Sequence, residues 1–253
     1  KHTERLFNSA RILGMDIPFD SDTLNQAQRD VVKKNNLNSA YIRPMCFYGS
    51  EGMGLRADNL KVHVMIAAWE WGSYLGDDNM KNGIRIRKSS YIRHHAHPDL
   101  SGAKMNGNYI NSIMALKEAQ SHGFDEALML DVEGSVSEGS GENIFVIKDE
   151  VLYTPHLSSA LPGITRDTIF TLAKSLGHKV IEKKISCEDI YQADEAFFTG
   201  TAAEVTPIRD LDGNQIGIGS RGPITEKLQS LYFDCVHGRN EDYKSWIESG
   251  RCS

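Results

Sequence analysis

Ser101-Gly-Ala-Lys-Met-Asn-Gly-Asn-Tyr109 is the stretch from which the fold of this chain is read. It follows a loop containing Pro98 and leads into a segment whose apolar residues, Ile110, Ile113, Leu116 and Ala119, recur at helical spacing. Lys104 therefore stands just ahead of a helix N-terminus, where the positive end of the helix dipole and neighbouring cations disfavour an ammonium charge. A neutral amine is what condensation with a carbonyl group requires. One lysine among 28 Lys and Arg proves little alone, so the stretch takes its meaning from what flanks it.

Towards the C-terminus, strands are expected from Glu126 to Val132 and from Asn143 to Thr154, the latter a hairpin turning at Asp149-Glu150. Between them lies Val136-Ser-Glu-Gly-Ser-Gly-Glu-Asn143, a Gly-Ser turn carrying Glu138. Its carboxylate either faces water or is held by backbone donors at a strand end. In the second case, set against a heterocyclic nitrogen, it would keep that nitrogen protonated and so strengthen an electron sink. Leu161-Pro-Gly-Ile-Thr165 opens a helix over 166–176, with Ile169, Leu172 and Leu176 inward and Gly177 at its end. Thr165 is either a plain cap of that helix or, with the first free N–H groups, part of an anion site. Thr199-Gly-Thr-Ala-Ala203 follows an apolar strand from Glu195 to Gly200 and is either a simple turn or a second nest of backbone donors. A strand from Val180 to Ile185, a short helix near Glu188 to Tyr191, a hairpin turning at Asp212-Gly213 and a helix after Pro223 complete this half.

Towards the N-terminus, Leu6, Ala10 and Leu13 share a helix face that ends near Gly14, and Ser21 or Asp22 can cap a second helix ended by Asn35-Asn36. Ala40 to Tyr48 reads as a strand in which Pro44 marks an edge or a bulge. Val62 to Trp71 is a nearly continuous apolar run, which predicts a strand buried on both faces. The polar, Gly-rich composition between Gly72 and Gly83 marks a domain boundary, giving a small domain over 1–75, a linker over 76–82 and a large domain over 83–253. Strands outnumber helices without alternating with them, so the class is α+β.

Composition narrows the function. The 253 residues can bury a sizeable core, and a net charge of −6 without a basic cluster argues against nucleic acid and anionic membranes as partners. Four scattered cysteines with no Cys-x-x-Cys pair suit a reducing compartment, and no apolar run approaches a membrane span, so a cytoplasmic location is expected. His94-His-Ala-His97 suggests a metal site, but three histidines in four loop residues do not easily share one ion. Gly49-x-x-Gly-x-Gly54 opens no clear helix and is not read as a dinucleotide fingerprint.

Taken in order, Tyr-Ile-Arg-Pro, Ala-Lys-x-x-Gly-Asn-Tyr, Ser-Glu-Gly-x-Gly-Glu-Asn, Leu-Pro-Gly-Ile-Thr-Arg and Gly-Thr-Ala-Ala-Glu-Val-Thr-Pro resemble the fold-type IV pyridoxal-phosphate enzymes. More closely, they resemble the branched-chain amino-acid aminotransferases. The resemblance covers essentially the whole chain and implies the two-domain architecture of the D-amino-acid aminotransferase-like fold. It implies that Lys104 holds pyridoxal 5'-phosphate as a Schiff base and moves the proton, that Tyr109 binds the ring hydroxyl, and that Glu138 pairs with the ring nitrogen. Arg5, Ile164, Thr165 and Thr201 would hold the phosphate, and Leu161 would pack on the ring. Tyr41, Arg43, Trp71 and Tyr74 would line the substrate pocket, with the Thr201-Ala202-Ala203 turn donating to the α-carboxylate. Branched-chain amino acids, their 2-oxo acids, glutamate and 2-oxoglutarate would be the substrates, and a homodimer or higher homo-oligomer the assembly. In this family a further segment, carrying pocket aromatics, precedes the position of Lys1, so the small domain is expected to be incomplete. A D-amino-acid aminotransferase, an aminodeoxychorismate lyase and a cofactor-binding protein without turnover are the alternatives.

Overall fold

The computed structural model describes residues 1–72, 76, 78–93 and 102–247. They fall into two compact units, Lys1–Gly72 and Ser73–Glu248.

In the first unit two helices, α1 (His2–Ile12) and α2 (Ser21–Lys34), accompany an antiparallel pair, β1 (Tyr41–Tyr48) and β2 (Val62–Trp69). The cap of α2 is neither Ser21 nor Asp22 but Asp20, whose carboxylate accepts the Thr23 N–H at 2.7 Å. Thr3 ties the two helices together: its hydroxyl donates to Asn25 at 2.6 Å and accepts from Gln28 at 3.1 Å. Pro44 sits within β1, tolerated because β1 pairs with β2 alone among the described residues. The expected double burial of β2 is not found. None of its residues is fully buried, and His63 and Met65 face solvent, since a two-stranded sheet shelters only one side.

The second unit is built on a nine-stranded mixed sheet. Its strands are β3 (Ile84–Lys88), β4 (Glu126–Leu130), β5 (Val136–Gly139), β6 (Asn143–Lys148), β7 (Val151–Thr154), β8 (Val180–Glu182), β9 (Glu195–Gly200), β10 (Glu204–Leu211) and β11 (Asn214–Gln215). The order is β5-β4-β3-β10-β9-β6-β7-β8, with β11 on β10. β3 runs parallel to β4 and β10, and β7 to β8, while the other pairs are antiparallel. With α3 (Asn79–Asn82), α4 (Tyr109–Ser121), α5 (Ile164–Ser175), α6 (Cys187–Tyr191) and α7 (Pro223–Val236), this is the α+β architecture expected.

The central strands are rich in buried apolar residues because both faces of the sheet are covered. On one face Ile84, Ile86, Leu128, Ile144, Val146, Phe198 and Ile208 pack with Ile190 of α6. On the other Phe145, Ile147, Phe197 and Val205 pack beneath α5 and α7, where the Phe145 and Phe197 rings stack at 5.1 Å. Alternate residues of β6 thus feed opposite layers. The hairpin at Asp149-Glu150 forms as expected, with φ of 49° and 63° at its two turn residues.

Helix α4 differs from its sequence reading. Ser112, Ala115 and Ala119 face inward against Ala127 and Met129, while Ile110 and Ile113 are exposed. Small residues let the helix lie close on β4, which rotates the larger aliphatics outward.

Candidate active site

Lys104 lies in the second unit, two residues before a short 3₁₀ turn, Asn106–Asn108, that leads into α4. Ala103, buried beneath it, anchors the segment. The Lys104 amine donates to the hydroxyl of Tyr109, the first residue of α4, and lies 4.9 Å from the centre of that ring. The two residues that the Ala-Lys-x-x-Gly-Asn-Tyr motif singles out are therefore in contact.

Glu138 is not in a turn but on β5, opposite Met129 of β4, and is 5% exposed. Its Oε1 lies 2.6 Å from Arg93 Nε in a buried ion pair whose N–H points off line. Its Oε2 accepts the Leu161 backbone N–H at 3.0 Å and the Asn143 side-chain amide at 3.2 Å. Burial pushes the Glu138 carboxyl above its ordinary range, opposed first by the Arg93 guanidinium and also by the Lys104 charge. Arrayed donors around a buried carboxylate are what a fixed partner for a protonated ring nitrogen needs. The reading in which Glu138 faces water is excluded.

Two further buried carboxyls lie near it. Glu142 is pushed well above the usual range by burial and then by the neighbouring Glu126 charge, and the Lys104 charge reaches it too. Glu126, fully buried, is raised to about 7, chiefly by burial and against the pull of the Ala127 N–H.

Leu161, Ile164 and Thr165 meet at the start of α5. The helix begins ahead of its expected start, and its cap is Gly163, which offers no side-chain acceptor. Thr165 is therefore a buried first-turn residue rather than the cap. An uncapped N-terminus of a 12-residue helix leaves N–H groups and the positive dipole end for an anion. Thr201-Ala-Ala203 forms a tight turn between β9 and β10, closed by Glu204 in the left-handed region at φ 54°. Glycine usually takes that place, so the chain accepts strain there to hold this turn. Two residues ahead of Thr201, the buried Thr199 hydroxyl has no partner. An amine, a phenol, an enclosed carboxylate and an uncapped helix start fit the aldehyde, ring hydroxyl, ring nitrogen and phosphate of pyridoxal phosphate.

In the first unit, Tyr41 and Arg43 lie two apart on β1 and so share a face, and Tyr41 stands opposite Trp69 in register. The Tyr41 ring meets Trp69 at 5.1 Å and Trp71 edge-on at 4.7 Å, and the Arg43 guanidinium lies 5.3 Å from both the Tyr41 and Trp69 rings. Arg5 is half-buried on α1 of the same unit. Tyr74 and the His94–His97 tract lie outside the described residues. Among the described residues no three His, Cys, Asp or Glu side chains are grouped to hold a metal, and no helix is long and apolar enough to cross a membrane.

The sequence reading misses Arg93, Asn143 and Trp69. Trp69 can be found by pairing the two predicted strands. Arg93 and Asn143 touch Glu138 only through the tertiary fold.

A family profile described as amino-transferase class IV matches residues 1–211. A branched-chain-amino-acid aminotransferase of Pseudomonas aeruginosa is 61% identical over 245 residues, covering 97% of this chain and 80% of that protein. Among solved structures, an Escherichia coli branched-chain amino acid aminotransferase is 46% identical with a TM-score of 0.95, covering 99% of this chain and 83% of that one. A Thermobaculum terrenum branched-chain amino acid aminotransferase, solved in its PLP-bound holo form, is 33% identical with a TM-score of 0.91, covering 98% of this chain and 80% of that one.

Proposed function

The chain belongs to the class IV amino-transferase family and, within it, to the pyridoxal-phosphate-dependent branched-chain-amino-acid aminotransferases, and from that premise we propose that it transfers the amino group of leucine, isoleucine or valine to 2-oxoglutarate, with Lys104 as the Schiff-base lysine. The observation that carries this reading is the Lys104 amine held by Tyr109, with its charge felt at the buried Glu138 carboxyl of the same unit.

Pyridoxal phosphate, when bound, supplies an electron sink for the pair left on substrate Cα. The remaining work falls to the chain. With the cofactor bound, Lys104 Nζ would take the proton from substrate Cα and hold it for return, a general acid and base in one group. Tyr109 orients that amine and holds the ring hydroxyl. Glu138, fixed by Arg93, Leu161 and Asn143, keeps the ring nitrogen protonated. With the cofactor bound, Ile164, Thr165, Thr201 and Arg5 would hold the phosphate, and Leu161 would pack on the ring.

Arg43 receives the distal carboxylate of glutamate, Tyr41 helps to hold the α-carboxylate, and Trp71 and Tyr74 shape the aliphatic wall. The Thr201-Ala202-Ala203 turn donates to the α-carboxylate. A guanidinium laid on aromatic faces supports this double use, because the rings serve an aliphatic side chain and the charge serves a carboxylate. The division into a small domain over 1–75, a linker over 76–82 and a large domain over 83–253 belongs to the same reading, as do a cytoplasmic location and a homodimer or higher assembly.

The test is leucine-dependent formation of glutamate from 2-oxoglutarate, followed by borohydride trapping and peptide mass. Glutamate formation with the trapped cofactor on Lys104 is the expected result. No glutamate, or trapping on another lysine, refutes it.

A further inference from the structure

So far Asn143 enters only as one of the groups that fix Glu138, yet it is buried and touches three parts of the site. It is the first residue of β6, five positions after Glu138 across a tight turn in which the Gly139 N–H donates to the Glu142 carbonyl at 2.7 Å. Its Nδ2 donates to Glu138 Oε2 at 3.2 Å and to the Leu161 carbonyl at 2.9 Å. Leu161 in turn donates its N–H to the same Oε2 at 3.0 Å. The Asn143 Oδ1 lies so close over Gly163 that a Cβ at position 163 would overlap it. One amide thus bridges the carboxylate on the sheet, the backbone at Leu161 and the cap of α5.

A carboxylate that shares its donors with a loop cannot reorient without moving that loop. A helix cap pressed against the same amide is fixed by the same contacts. We propose that Asn143 is a positioning residue that couples the Glu138 carboxylate to the start of α5, so that the ring-nitrogen end and the phosphate end of the cofactor site are held as one body. The proposal rests on the cofactor reading given above. It needs no contact between Asn143 and the cofactor.

The experiment is cofactor binding to the whole apoprotein by equilibrium titration, in a double-mutant cycle of Glu138→Gln and Thr165→Ala. With Asn143 in place, the two losses in pyridoxal phosphate affinity are expected to be non-additive by roughly fivefold or more, as for sites that share partners. In an Asn143→Ala background that coupling should fall to about onefold, while affinity itself drops roughly tenfold or more, the range for removing a supporting partner. Asn143→Asp, an isostere that puts an acceptor against Glu138, should also shift the pH titration of the bound cofactor's visible absorbance.

If Asn143→Ala does not fold, Gly163→Ala gives the same test. It leaves the amide in the sequence but displaces it, and should likewise abolish the coupling. Coupling that persists in either background overturns the proposal. Failure of the cofactor reading looks different: the unmodified protein would bind no pyridoxal phosphate, or Glu138→Gln would leave its affinity and absorbance unchanged.

Discussion

Glu138 and Arg43 are two charged groups held in opposite ways. Glu138 is enclosed in the nine-stranded sheet, with a guanidinium on one oxygen and two N–H donors on the other. Arg43 stands exposed on a two-stranded hairpin, resting on the Tyr41 and Trp69 rings at 5.3 Å each. Hydrogen bonds fix direction, whereas ring faces tolerate sliding. The first arrangement suits one partner atom at one position. The second suits the part the proposed function gives Arg43, which would meet a carboxylate in one half-reaction and make way for a methyl branch in the other.

The comparison can be tested at several points. Lys104→Ala should cost about 10⁴-fold or more in transamination rate, since on the proposed function the same amine would hold the cofactor and carry the proton. Steady-state kinetics with borohydride trapping checks this, and a residual rate within about tenfold of the unmodified enzyme would remove Lys104 from the mechanism. Glu138→Ala should cost less, about 10²- to 10³-fold in kcat, because losing a fixed electrostatic partner weakens the sink without removing it. Leucine and glutamate should suffer equally if the carboxylate serves the cofactor and not the substrate.

Enclosure also has a stability cost, visible at Glu126. Its carboxyl is raised from 4.5 to about 7, so the folded chain keeps a proton that the unfolded chain has released. This contribution is present in full below the unfolded value and is lost as pH rises towards about 7, on the order of 3 kcal/mol. Urea unfolding of the apoprotein should therefore show stability falling over that window. Glu126→Gln should make the fall shallower, with Glu138 and Glu142 still contributing to it, and an unchanged slope would mean that the group does not titrate there.

On the open side, Arg43→Leu should raise KM for glutamate by about 10- to 100-fold while leaving kcat/KM for leucine within about threefold. Equal losses on both substrates would abolish the contrast between the two regions. The smallest effect expected is at the exposed Asp20 cap, where Asp20→Ala should lower the melting temperature slightly without touching kinetics, as thermal melts and steady-state assays would show.

Much of this molecule is legible in its sequence, and the failures share a cause. Lys104, Tyr109 and Glu138 can be singled out because their residue types and their motifs coincide, and the Lys104–Tyr109 contact and the burial of Glu138 fit that reading. The β6–β7 hairpin can be read because turn residues announce themselves locally. Asn143 and Arg93 cannot, since their importance lies in which carboxylate they reach, and that depends on how β5 and the Leu161 loop come together. Helical spacing misplaces the buried face of α4 because it finds an apolar stripe but not the close fit of Ala115 and Ala119 against β4. It overstates the burial of β2 because an apolar run does not say how many layers cover it.

Between Glu138 and Asn143 the chain spends only four residues, and their number matters as well as their fit, since a Cβ on Gly139 would crowd the Phe198 ring and Glu142 is itself enclosed. Along β6, Ile144 and Val146 enter one layer and Phe145 and Ile147 the other. Deleting one residue from Ser140-Gly141 would either pull the Asn143 amide away from Glu138 or force β6 to slip against β9 and β7, which would exchange the two sets. A one-codon deletion there is expected to do more damage than a substitution at Gly141, the one exposed residue of the bend.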